Sequence, residues 1–449
     1  PNLLQSPFRA GIRLDAYQLE PLRKALRLPR VNLFIADDVG LGKTIEAGLI
    51  ARELLMRKKV RDIVVSCPPS MLLQWKEELD ARFGLRFEIL DKDYLQKVRR
   101  ERGFGVNPWT THSRFLVSHR LLIDEMYASP LHDWLGTFRA GSLLILDEAH
   151  HAAPSSGQRY AIDSHITRAV RDLAPKFEHR LFLSATPHNG HSNSFTALLE
   201  LLDPQRFFRG MKVPKKMLED VMVRRLKDDL RKICGGFPER KVLQENIEGL
   251  PENAPELRLA ALLDEYRGTR ELRLRGETRR TQSASGLLIC GLQQRLLSSV
   301  EAFSKTLYVH RRTVKKQRET ALAQEATAMI RGDLLTNSVA SDDDRALLNE
   351  QELAAEEEAQ IIAASEASMG RSIVASEGEL FAREQGLLDQ MTELAESSRA
   401  LPDARIKKLV EWIKSQMCPD IGAVGAKWNN IRVIVFTEWD DTRRYLVQQ

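Results

Sequence analysis

Two short stretches combine residue types that do chemistry on phosphate. In residues 31–50, VNLFIADDVGLGKTIEAGLI, an apolar strand pattern runs into a glycine turn and then into an amphipathic helix pattern. The turn therefore sits at a helix N-terminus, where unpaired backbone N–H groups and the positive dipole end face an anion. Gly40 and Gly42 remove the side chains that would block its approach, Lys43 reaches the outer phosphates, and Thr44 supplies a hydroxyl for magnesium. Asp37 stands where the usual pattern has a glycine, so a plain strand-to-helix connection competes for the loop taken alone. The second stretch, residues 142–151 (SLLILDEAHH), is an apolar strand that ends abruptly in two carboxylates. Asp147 suits a magnesium ligand, and Glu148 suits an acid that positions or deprotonates an attacking water. Together the two stretches predict a nucleotide hydrolysis site that uses ATP and Mg2+.

The elements that must hold these residues follow one scheme. Apolar runs at Ile63–Val65, Phe115–Val117 and Leu181–Leu183 each stop in small polar residues, Ser66-Cys67-Pro68, Ser118-His119 and Ser184-Ala185-Thr186, with helical segments after them. Strand, loop and helix in repetition predict an α/β fold, a doubly wound parallel sheet with its ligands at the C-terminal strand ends. Upstream, Gln18 lies in a helical start; its amide can pair with both a donor and an acceptor on an adenine edge, or sit on the surface. His150, His151 and His188 lack a third ligand at metal spacing, which leaves hydrogen-bonding or coupling roles.

The chain has 449 residues, 43% of them hydrophobic, enough for two or three domains. A net charge of +5 permits nucleic-acid binding without demonstrating it. Cys67, Cys234, Cys290 and Cys418 form no CxxC pair, so a zinc site or disulfide framework is not suggested and a reducing, cytoplasmic setting is expected. No apolar run is long enough to span a membrane. The start at Pro1 hints at missing upstream residues.

From Gly249 the composition turns helical. Leu288, Leu292, Leu296, Val300, Phe303 and Leu307 predict one apolar stripe along a helix, followed by a basic cluster of His310, Arg311, Arg312, Lys315, Lys316 and Arg318. That cluster reads as a solvated face or a phosphate contact. Residues 342–379 are acidic, which argues against direct DNA contact there and for a mobile insert or a partner surface. Residues 431–436, IRVIVF, predict a buried strand that opens a second sheet.

Gln18, DDVGLGKT, DEAHH and SATPHNG, in that order, resemble the successive motifs of superfamily-2 helicases. Residues 221–230 (VMVRRLKDDL), FPERK at 237–241, QRLLSS at 294–299 and VIVFTEW sharpen the resemblance to the Snf2 family, in its bacterial RapA-like branch. That branch includes an RNA-polymerase-recycling ATPase and helicase-like subunits of antiviral defence systems such as DISARM, and the large helical insert inclines toward defence.

The resemblance implies a RecA-like ATP-binding lobe over residues 1–236, a helical linker and insert over 237–402, and the start of a second RecA-like lobe over 403–449. It implies a DNA-dependent ATPase, a helicase-like translocase on double-stranded DNA, with other defence subunits as partners. A strand-separating DEAH-type DNA or RNA helicase, an RNA-polymerase-recycling ATPase and a non-hydrolysing ATP-bound scaffold subunit are the alternatives. By the resemblance Gln18 contacts adenine, and Lys43 and Thr44 hold phosphate and magnesium. Asp147 and Glu148 serve hydrolysis, and Ser184 and Thr186 couple nucleotide state to DNA. The loops at Pro68 and Ser118 match DNA-tracking positions, with Gln74 and Trp75 just beyond the first. Asp38 stands where the family usually has glutamate. The later second-lobe motifs, with their arginine finger, are absent, so residues 1–449 alone are expected to be nearly inactive.

Overall fold

Along Asn32–Ile35 (β1), Leu33 and Ile35 face one hydrophobic core and Phe34 the opposite one, and the same alternation recurs at Ile63, Val64 and Val65 and at Leu143, Leu144 and Ile145. Strands buried on both faces belong in a parallel sheet covered by helices on each side. The computed structural model describes residues 4–449 apart from residue 14 and residues 155–163, 188–191, 237, 324–349 and 369–377. These fall into two units, one up to Lys241 and one from Val242.

The first unit contains a seven-stranded sheet of β1, Asp62–Cys67 (β2), Glu88–Ile89 (β3), Arg114–Ser118 (β4), Arg139–Leu146 (β5), Phe177–Leu183 (β6) and Met222–Val223 (β7). Its order is β3-β4-β2-β5-β6-β1-β7, and every pairing is parallel. The fold is thus the expected doubly wound α/β lobe. The edge strands β3 and β7 have two residues each, too short for a periodic signal in the sequence. Because all strands run one way, the turns after β1, β2, β4, β5 and β6 gather at one rim of the sheet.

The helix Lys43–Met56 lies against the helix Leu72–Phe83 with a glycine at the crossing. A Cβ at Gly48 would meet the buried Phe83 ring at 2.3 Å, far inside any tolerable contact.

The second unit is helical among the described residues. Pro255–Arg273, Arg279–Ser298, Val300–Ala323 and Gly378–Ser398 share a core of Leu259, Tyr266, Leu292, Phe303 and Met391. The predicted stripe is buried at all six positions but belongs to two helices rather than one. The break is at Ser299, which turns to extended backbone; its hydroxyl accepts the Ala302 N–H at 3.1 Å, capping the second helix.

Inside this unit lies a polar network. Arg270 is fully buried and donates to Ser285 Oγ at 3.0 Å, to the Ser368 carbonyl at 3.0 Å and to the Tyr266 hydroxyl. Arg273 grips Glu384 with two bonds of 2.6 and 3.1 Å, and His310 bridges the Tyr266 hydroxyl at 2.9 Å and Ser365 Oγ at 2.8 Å. His310 therefore leaves the basic cluster expected at the surface: it is buried, and burial holds its ring neutral. Arg311 pairs with Asp389 at 2.6 Å and Arg312 with Glu358, so acidic neighbours already answer these charges. The Arg318 side chain and residues 342–344 lie outside what is described.

Residues 431–436 do not form the expected buried strand. They adopt no strand pairing, and Ile434 and Phe436 are 78% and 89% exposed. Strand propensity needs a neighbouring strand to complete its ladder, and among the described residues none lies beside this run.

Substituting Gly48→Ala is expected to lower stability by about 1–3 kcal/mol, since the clash with Phe83 outweighs the roughly 1 kcal/mol that alanine gains in a helix interior. A drop in the urea midpoint at unchanged slope checks it.

Candidate nucleotide-binding site

The glycine turn after β1 has the backbone its sequence requires. Gly40 and Gly42 have φ of 79° and 92°, and a Cβ on Gly42 would strike Gln18 Nε2 at 2.6 Å. Gly42 is the N-cap of the helix Lys43–Met56 and no side chain caps it, so the first-turn N–H groups remain for an anion. Lys43 Nζ donates to the Asp37 carbonyl at 3.2 Å, and Thr44 is the next residue of the helix. Asp38 holds the turn through its Oδ1, which accepts the Val39 N–H at 2.8 Å. Gln18 is buried and donates to the Leu41 carbonyl at 3.2 Å, so its amide braces the loop. These residues fit a phosphate group and its magnesium ion. Asp147 and Thr44 would hold the metal, which would supply positive charge on the phosphate oxygens.

Under the turn is a charge cluster that the sequence reading did not identify. Asp37 and Glu46 are both fully buried, and both accept from Arg225 Nη2. Arg225 also donates to the Tyr17 carbonyl, and its backbone N–H donates to Asp37 Oδ1 at 2.8 Å. Asp37, at the position where the usual pattern has glycine, is therefore an anchor for the loop. One cation cannot neutralise two carboxylates in a dry site. Burial pushes Glu46 up to about 8, with the nearby Asp37 adding to the rise against the opposing pull of Arg225. The legible signal was an acid, Glu46, set in the apolar run of Ile45, Ala47, Leu49 and Ile50.

Asp147 and Glu148 follow β5, and two strand spacings of about 4.8 Å separate β5 from β1 with β6 between them. Asp147 is buried, which pushes its carboxyl up to about 6. Its Oδ1 accepts the Glu148 N–H at 2.9 Å, and its Oδ2 accepts the Trp75 indole N–H at 2.8 Å. Glu148 has φ 42°, a left-handed backbone that costs a non-glycine residue roughly 1 kcal/mol or more. The turn aims its carboxylate at His150, whose Nδ1 lies 3.2 Å away, and that bond lowers the Glu148 pKa. The same Nδ1 is 3.0 Å from Ser184 Oγ, which in turn accepts the Thr186 N–H at 3.1 Å. A hydrogen-bonded chain thus runs from the acid after β5 to the turn after β6. His151 lies against His150 at 4.1 Å between ring centroids, the rings tilted by 41°, and His119 bonds Ser66 Oγ at 2.7 Å, its pKa pushed down to about 3 by burial, which keeps the ring neutral. His188 lies outside the described residues.

The residues read as DNA-tracking fare differently. Pro68 and Ser118 are buried at the ends of the paired strands β2 and β4, so they shape their loops rather than present side chains. Gln74 is exposed and bonds Glu78 at 3.1 Å, whereas Trp75 is fully buried against Asp147 and has no face to offer DNA. Helical spacing explains the split, since adjacent positions on a helix point about 100° apart.

The SNF2-related domain family matches residues 17–248, just over half of the 449. The chain belongs to the SNF2-related family. Among its relatives, "RNA polymerase-associated protein RapA" of Pasteurella multocida is 32% identical over 209 residues, 45% of this chain and 21% of the relative. The protein of the same name from Haemophilus influenzae is 34% identical over 184 residues, 40% of this chain and 18% of the relative. This SNF2-related chain therefore aligns with about a fifth of each relative's length. Of solved structures, the Sulfolobus solfataricus SWI2/SNF2 ATPase core in complex with dsDNA aligns with 66% of this chain and 61% of its own at 18% identity and TM-score 0.40. The Pyrococcus furiosus Hef helicase domain aligns with 90% of this chain and 72% of its own at 16% identity and TM-score 0.39. No helix among the described residues is long and apolar enough to cross a membrane.

Glu46→Gln is expected to flatten part of the pH dependence of stability. Because the folded-state pKa is raised, the contribution is full below the ordinary carboxylate value and lost as pH rises through about 8. The variant should gain on the native chain steadily between about pH 5 and about pH 8, read from urea midpoints across that range. A constant difference would contradict a protonated Glu46.

Proposed function

We propose that this SNF2-related chain carries the ATP-binding lobe of an ATP-dependent translocase on double-stranded DNA. The observation that supports this best is the link from Glu148 through His150 to Ser184, because it joins the water-positioning acid to the turn after the neighbouring strand. A change in the phosphate occupying the Gly40–Thr44 turn can reach Ser184 and Thr186 by that route. In this reading Lys43 and the first-turn N–H groups bind the outer phosphates, and Glu148 orients the attacking water. Asp147 is kept in position by Trp75 and the Glu148 N–H. Residues 403–449 would open the second lobe, whose arginine completes hydrolysis.

The names of the curated relatives support a second setting, in which the whole protein acts on RNA polymerase. The helical unit from Val242 is what supports antiviral defence instead. Retention of RNA polymerase core on the immobilised full-length protein favours the RNA-polymerase setting, and its absence favours antiviral defence.

Lys43→Ala is expected to abolish ATP binding, whereas Glu148→Gln should bind ATP normally and lose at least about a hundredfold in turnover. Nucleotide titration and phosphate release, measured separately on the full-length protein, tell these apart. Wild-type turnover in Lys43→Ala would remove the cradle assignment.

Duplex DNA should stimulate turnover, with an affinity that falls steeply with salt and depends little on sequence, since phosphate contacts dominate such binding. A salt titration with duplexes of unrelated sequence measures both. Stimulation by single-stranded RNA with none by duplex would favour a strand-separating helicase.

A further inference from the structure

We infer that Lys227 is a second phosphate-binding cation of the nucleotide loop, contacting the outermost phosphate of a bound nucleoside triphosphate. The inference rests on the reading of Gly40 to Thr44 as the nucleotide cradle.

Lys227 is far from the loop in sequence but is fastened to it residue by residue. The Ala36 N–H donates to the Val223 carbonyl at 2.7 Å, and the Asp38 N–H donates to the Arg225 carbonyl at 3.0 Å. Arg225 N–H returns a bond of 2.8 Å to Asp37, and the Lys227 N–H points to Asp38 Oδ2 at 3.4 Å. The largely buried Arg225 guanidinium, shared between Asp37 and Glu46, locks this register from below. The segment after β7 is therefore the outer wall of the glycine turn.

From that wall the Lys227 side chain lies over the turn itself. A Cβ built on Gly40 would sit 3.4 Å from Lys227 Nζ and 3.9 Å from its Cε. Among the described residues no hydrogen bond or ion pair engages this ammonium. Lys227 is also the first residue of the helix Lys227–Cys234, where the helix dipole disfavours a cation and where Asp228 and Asp229 follow the opposite, favourable rule. Neither pairing nor helix electrostatics accounts for a lysine at this place. An anion in the turn does. The backbone of the turn wraps the inner part of a phosphate chain, so a side chain at its rim meets the group that projects furthest.

The test uses the full-length protein with Lys227→Met, Lys227→Gln and Lys227→Arg. Displacement of a fluorescent nucleotide by ATP and by ADP gives both affinities, and thermal unfolding without nucleotide reports the fold. Loss of one charge-assisted contact should weaken ATP about ten- to a hundredfold in the methionine and glutamine variants. ADP should change by less than about threefold, and arginine should restore ATP binding. The melting temperature without nucleotide should not move, and glutamine guards against a methionine variant that fails to fold. Unchanged ATP affinity in folded Lys227 variants, with binding abolished by Lys43→Ala, overturns the inference and leaves the cradle standing. Equal losses for ATP and ADP also overturn the assignment to the outermost phosphate. If Lys43→Ala too binds ATP normally, the cradle reading itself fails.

Discussion

A single, largely buried guanidinium holds the shape of the nucleotide turn. Arg225 meets Asp37 at the start of the turn, Glu46 one turn into the following helix and the carbonyl of Tyr17 in front of them. Each carboxylate is fully buried, and an isolated charge in such a place would cost several kcal/mol. The cost is offset only while the arginine stays, so the two ends of the turn are tied to one point. Those ties brace a turn rich in glycine, intrinsically the most permissive kind of backbone.

The parallel sheet supplies the other constraint. Consecutive placement of β5, β6 and β1 puts the two carboxylates, Ser184 and the glycine turn on one rim in that order. Sequence order scrambles the same residues. Only a crossover topology makes them neighbours, and the hydrogen bonds from Glu148 to Ser184 are the result.

Much of this was legible in the residues. A strand buried on both faces is an unbroken apolar run, and each of the five longer strands announces itself that way and stops at a polar turn. The phosphate turn is a local pattern of a few residues and needs no partner to be recognised. What stayed hidden depends on distant parts of the chain. Arg225 looks like any arginine in VMVRRLKDDL until β7 pairs with β1, and Trp75 looks like a neighbour of Gln74 until the helix Leu72–Phe83 turns it inward. The break at Ser299 was invisible because apolar spacing continues unchanged across the cap. Residues 431–436 show the converse error: their residue types favour a strand, but pairing is decided by what lies alongside.

The helical unit has a feature whose consequence is mechanical. The bonds Arg270–Ser285, Arg273–Glu384 and Tyr266–His310 each join two different helices inside the core, not along its surface. In a core of leucine and alanine alone, a slip of one helix past another by a turn, about 5.4 Å, would exchange one set of apolar contacts for another. Here that slip would strand charges in a space without water. The network therefore fixes which turn of each helix faces its neighbour.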